Sequence, residues 1–140
     1  MSLLDEALAS AAEEPTPFKD VSTELGGKHL PFRFYALDGE KWSEIIAFCP
    51  ARLGSAIDRR YGYNFQQAAR MAAPLCGRLV DQGAEIPITD DQWDDLFKRL
   101  KGHSIKLIHS AIWELNEYDP EVRVATAKKD SAADSPQKPS

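Results

Sequence analysis

The chain has 140 residues, a net charge of −5 and only two cysteines. That length suggests one domain, and a fold of this size buries roughly two thirds of its unfolded surface, so a core needs neither disulfides nor a structural metal. No run approaches the ~18 consecutive apolar residues that span a bilayer and no apolar leader follows a basic start, which leaves a membrane role unsupported and points to a cytoplasmic protein with buried thiols.

The charge is spread unevenly. Residues 1–20 hold five acids and one base, residues 21–118 thirteen acids and twelve bases, and residues 119–140 four of each. An acidic arm therefore precedes a nearly neutral middle, and the basic footprint that nucleic acid demands is missing.

Within the arm, Leu3, Leu4, Ala7 and Leu8 make one short apolar pattern, and Glu13-Glu14-Pro15-Thr16-Pro17 then favours an extended linker. Val21 to Leu37 alternates as a β-hairpin: Val21, Thr23 and Leu25 share a face, Gly26-Gly27 supply the turn, and Phe32 and Phe34 return opposite Arg33 and Tyr35. Pro31 cannot donate to a ladder, so the second strand is expected to begin after it or to lie at an edge.

From Asp38 the period becomes helical. Asp38 is the N-cap, and Leu37 and Trp42 have the spacing of a hydrophobic staple. Trp42, Ile45, Ile46 and Cys49 form a stripe that Pro50 ends. A short segment follows with Leu53 and Ile57 expected inward and Arg52, Arg59 and Arg60 outward, until Gly62 and Asn64 interrupt it.

Asn64, with Gln67 at the capping-box position, predicts a further helix whose small-residue face is Phe65, Ala68, Ala69, Ala72, Cys76 and Leu79. Pro74 inside it predicts a kink or two shorter helices. Asp81 to Pro87 reads as a loop.

Thr89 and Gln92 form a capping box, with Ile88 stapled to Trp93 and Asp90 and Asp91 on the positive helix end. That helix turns Trp93, Leu96, Phe97 and Leu100 to the core, gathers Lys98, Arg99 and Lys101 in its last turn, and is expected to end at Gly102. Ile105, Ile108, Ala111, Ile112 and Leu115 mark a final helix reaching about Asn116. None of the last fifteen residues, Thr126 to Ser140, can take part in a packed core, and a disordered tail is expected from Asp119 to Ser140. The fold class is thus α+β, mostly α: a hairpin over 21–37, four or five short helices over 38–118, and disordered termini.

Little in this pattern speaks for an enzyme. Asp90, Asp91, Asp94 and Asp95 include two i, i+4 carboxylate pairs, but two of them favour the helix N-terminus, the others read as solvated, and no His or Lys comes at a spacing that would tune them. His103 and His109 are six apart across Gly102 and so lack the spacing of a helical metal pair, and His29 is remote from both. Cys49 and Cys76 sit on apolar helix faces where an inert thiol is expected. No catalytic residue, metal site or cofactor is therefore assigned.

The remaining feature is a basic and aromatic surface. Arg52, Arg59, Arg60, Arg70 and Arg78 have only Asp58 as an acid between them, with Tyr61, Tyr63 and Phe65 interleaved. Arginine and tyrosine are enriched at protein interfaces, so Arg52, Arg59, Arg60, Tyr61, Tyr63 and Arg70 are the candidate partner-binding residues. The plainer alternative is a solvated face with its aromatics turned inward. The acidic arm could also fold back onto this patch, and self-association stays open.

The segments "LLDEALA", "VSTELGGKHLPFRFYALDGEKW" and "YGYNFQQAARMAAPLCGRLV", with the Ala/Lys/Ser/Pro tail, give a layout that resembles the tail assembly chaperones of long-tailed bacteriophages of the actinobacteriophage type. The resemblance implies a non-enzymatic helper in the host cell cytoplasm. It would bind and solubilise the helical tape-measure protein, help recruit tail-tube subunits, and be absent from the mature virion. It also implies a longer product made by programmed frameshift, for which the tail would be the linker and Lys128-Lys129 a slippery site. The tail-tube protein would be reached through that longer product.

Such a partner needs apolar grooves rimmed with charge, and the candidates are the hairpin edge, the Ala-rich helix over Ala68 to Ala73, and the Arg/Tyr patch. The alternative function is a small helix-turn-helix-like DNA-binding regulator built on residues 90–115. Its second helix, however, offers Lys106 and little else to a groove.

Overall fold

The computed structural model describes residues 2–117. The expected tail from Asp119 and the Lys128-Lys129 pair lie outside the described residues. In chain order the elements are α1 (Leu3–Glu13), β1 (Phe18–Leu25), β2 (Lys28–Tyr35), α2 (Gly39–Ala47) and α3 (Ala56–Tyr61), then α4 (Phe65–Cys76), β3 (Gly77–Asp81), β4 (Ala84–Ile86), α5 (Asp90–Arg99) and α6 (Gly102–Glu117). The class is α+β with helix predominating, as the pattern predicts, and five helices follow the first hairpin.

The four strands form one antiparallel sheet in the order β1-β2-β3-β4. Val21, Thr23, Phe32 and Phe34 point from it into the core, while Asp20, Arg33, Tyr35 and Glu85 make a polar network on the other face. This is the period-2 division of a sheet with one covered face. Strand β1 opens at Phe18, three residues before the first alternating residue, because Phe18 belongs to the outer face, where Arg33 stacks on its ring at 4.2 Å.

Pro31 lies inside β2, which is an inner strand, contrary to the expectation of an edge. It faces Ser22 of β1 and stands just outside the stretch Phe32–Phe34 that pairs with β3, so its missing N–H removes no bond from the β2–β3 ladder.

Strands β3 and β4 replace the expected end of the long helix and the expected loop. Helix α4 is single and stops at Cys76, two residues beyond Pro74. Gly77 then enters β3 opposite Phe34, and Leu79 pairs with Phe32 as a strand residue. Gln82 and Gly83 have φ of 51° and 80°, the left-handed geometry of a two-residue hairpin turn.

The helices cover the inner face of the sheet. Trp93 of α5 packs on Phe32 and Phe34 at centroid distances of 5.6 and 6.2 Å. Ala68, Ala69, Ala72 and Ala73 of α4 are completely buried, which lets α4 pass close to its neighbours. Helix α6 runs along β1: its Glu114 pairs with Lys19 near the start of that strand, and its His103 and Ser104 border a recess shared with Leu25 and Gly26 at the other end. Gly102 begins α6 instead of closing α5, since the extended backbone of Leu100 already ends the earlier helix.

Helix α1 stands apart from this assembly, with no buried residue. Among the described residues no helix is long and apolar enough to cross a membrane.

Candidate docking surface

Most of the predicted Arg/Tyr patch is occupied within the fold. Arg52 precedes α3, and its Nε and backbone N–H donate to one oxygen of Asp58 at 2.7 and 2.8 Å while a terminal nitrogen donates to the other at 3.1 Å. Asp58 also accepts from the backbone N–H of Phe65 at 3.3 Å, and it is wholly buried. The carboxylate therefore ties the segment after α2 to the start of α4. The Arg52 guanidinium beside Asp58 holds that carboxyl down at about 2, against the effect of burial.

The i, i+4 spacing of Leu53 and Ile57 suggested that they point inward. Both face solvent, because the inward position on α3 is taken by Asp58.

Tyr63 has 3% of its surface exposed and offers nothing to a partner. Its hydroxyl lies 2.9 Å from His109 Nε2, and its ring meets Trp42 edge-on. Tyr61 is half-buried against His109 and Trp113. Burial lowers His109 to about 4, so the imidazole is neutral in the folded protein at pH 7. These tyrosines extend the core, which corrects their assignment as partner-binding residues.

Arg70 is turned towards α5, where it pairs with Asp94 and stacks on Phe97. Arg78 caps its own strand by donating to the Gly77 carbonyl at 2.8 Å. Arg59 and Arg60, exposed in the last turn of α3, remain from the set as open cations.

The other polar candidates are equally dispersed. Asp90 and Asp91 are exposed in the first turn of α5, Asp94 is held by Arg70, and Asp95 lies elsewhere on a groove rim. His29 and His103 are exposed, on β2 and α6 respectively, while His109 is in the core. Among the described residues no three His, Cys, Asp or Glu side chains converge to hold a metal ion. Both thiols are free and buried, and burial pushes Cys76 up to about 12.

A concave apolar surface lies between the sheet and α5. Leu25 and Leu30 from the first hairpin and Leu79 and Ile86 from the second form its floor. Pro87 and Ile88 close one side, and Leu96 of α5 forms the opposite wall, with Gln92, Asp95 and Arg99 along the rim. The cavity holds about 270 Å³, is mostly apolar, and opens to solvent. It adjoins a second recess lined by Glu24, the Gly26-Gly27 turn, Arg99, Lys101 and His103, so two cations and one carboxylate stand at that end.

Leu25 and Leu30 belong to the predicted hairpin edge, but the rest of the groove depends on β3 and β4. The alternation Ala84-Glu85-Ile86 after Gln82-Gly83 is the available signal, masked by a helical stripe that extends to Leu79. In the Ala-rich stretch the four alanines are buried against the rest of the fold, while Met71 is exposed and Arg70 half-buried.

Compared with protein-family models, curated proteins and solved structures, the chain matches none.

Proposed function

We propose that this protein is an assembly chaperone, of the kind that binds the helical tape-measure protein of a long-tailed bacteriophage and keeps it soluble in the host cytoplasm until the tail tube forms around it. The observation that carries the reading is the groove between the sheet and α5. It is apolar along its floor and charged along its rim, the surface that an amphipathic helix seeks when it lays its i, i+3, i+4 side chains into a partner. At about 270 Å³ it lies just below the roughly 300–1,000 Å³ of ordinary small-molecule sites, and it suits a few protruding side chains better than an enclosed ligand.

The layout of acidic arm, hairpin and small-residue helix supports the same reading. The regulator alternative finds less support, because α6 buries Ile105, Ile108, His109, Ala111 and Ile112 against the sheet and α4. Little of that helix is left for a DNA groove.

The test is co-expression with the large helical protein encoded beside it. That protein moves into the soluble fraction when this chain is present and remains insoluble with an Ile86→Asp variant, whose charge would stand in the groove floor. Equal insolubility with and without the native chain removes the chaperone reading; equal rescue by the variant moves the contact away from the groove. The frameshift belongs to the same proposal and predicts a slippery heptamer at codons 128–129 with an overlapping frame. A gene lacking both removes that part alone.

A further inference from the structure

Among the described residues two apolar surfaces lack partners, and they complement each other. Helix α1 carries Leu3, Leu4 and Leu8 at 83, 67 and 60% exposure, with Ala7 and Ala11 continuing their stripe. Its charged residues are all acids: Asp5 and Glu6 in the first turn, then Glu13, with Glu14 as the cap. The recess adjoining the groove beside α5 offers cations at its end, where Arg99 and Lys101 line it together with Glu24. Neither Arg99 nor Lys101 has an ion-pair partner among the described residues.

Helix α1 is about 16 Å long, from eleven residues at ~1.5 Å each. Leu4 and Leu8 project one turn apart, a spacing that an elongated apolar floor can accept.

The chain's own α1 is poorly placed to reach that groove. The linker from Glu14 to Pro17 spans at most about 14 Å, and it starts from Phe18 on the edge strand β1. Helix α6, about 10 Å across, lies along the covered face of β1 between that starting point and the groove. Leu25, the nearest groove residue on β1, is a further ~23 Å along the strand from Phe18.

We infer that α1 of one copy docks in the groove between the sheet and α5 of a second copy, leucines on the apolar floor and acids against Arg99 and Lys101. Reciprocal exchange of the two arms closes a two-fold dimer with both grooves filled. The inference goes beyond the chaperone reading and does not depend on it.

Sedimentation equilibrium of the full chain tests it directly. The mass rises from one chain to two with concentration, and added salt shifts the equilibrium back towards one because the arm-to-groove charges are screened. Leu4→Glu combined with Leu8→Glu stays at one chain; α1 buries nothing, so this variant keeps its fold. Ile86→Glu also stays at one chain, and an equimolar mixture of the two variants regains a two-chain species, since the intact arm of one fits the intact groove of the other.

A native chain that remains single at every concentration overturns the inference. So does a dimer that survives the leucine substitutions, or a mixture that never pairs. All these measurements use the chain by itself, so their failure is separate from a failure of co-expression.

Discussion

At Asp58 a carboxylate is wholly enclosed and yet ionised, because four donors from Arg52 and the backbone of Phe65 surround it. Its pKa lies below its unfolded value of 3.8, so its contribution to stability is present above that pH and is lost as pH falls through about 2. His109 works in a different window. Held neutral by burial, it binds its proton at about 4 when folded but at 6.5 when unfolded. The unfolded chain therefore binds more protons between those values, and stability falls as pH is lowered through that range by roughly 3 kcal/mol in all. Thermal melts from pH 7 to 4 should show this loss, and His109→Gln, which keeps a polar partner for Tyr63 but cannot titrate there, should flatten it. A slope unchanged in the variant would assign the effect to other groups.

Among the elements, the junction of α4 and β3 is the most constrained. Gly77 has φ of −97°, which any residue can adopt, so its backbone does not require glycine. Space does: a Cβ there would sit 2.8 Å from the rings of Phe34 and Trp93 and 2.9 Å from the carbonyl of Ala73. Those rings are locked in the stack of Phe32, Phe34 and Trp93 and have nowhere to go. Gly77→Ala is expected to destabilise the protein by about 1–3 kcal/mol, read from the midpoint of chemical denaturation. A neutral substitution would mean that the α4–β3 junction is looser than its packing indicates. Among the described residues the buried indole N–H groups of Trp93 and Trp42 have no acceptor.

For the whole molecule, the division is between a packed body that begins at Phe18 and an arm that buries nothing. A chain starting at Pro15 should therefore melt at the same temperature as the full chain when both are dilute enough to be single. At high concentration the full chain should melt later, because docking of the arm adds mass-action stabilisation that the shortened chain lacks. Identical midpoints at every concentration would show that the arm contributes to neither body nor pairing.

Several local signals in the sequence carry through to the structure. Thr89 and Gln92 exchange the two bonds of a capping box at 3.1 and 2.9 Å. Asp38 and Asn64 cap their helices, and the Gly26-Gly27 hairpin forms with Phe32 and Phe34 inward, as the alternation of the sequence requires. The sequence could not decide between continuing α4 to Leu79 and ending it at Gly77, since both place Leu79 on an apolar face; pairing with β2 settled it. Nor could it tell that Asp58, amid arginines, would turn inward and draw Arg52 with it, while Leu53 and Ile57 stayed outside. Caps, turns and alternation depend on contacts within a few residues, so the chain by itself determined them. The groove, the buried carboxylate and the fate of the Arg/Tyr patch depend on residues distant in sequence meeting across the sheet, and only the tertiary structure decided those.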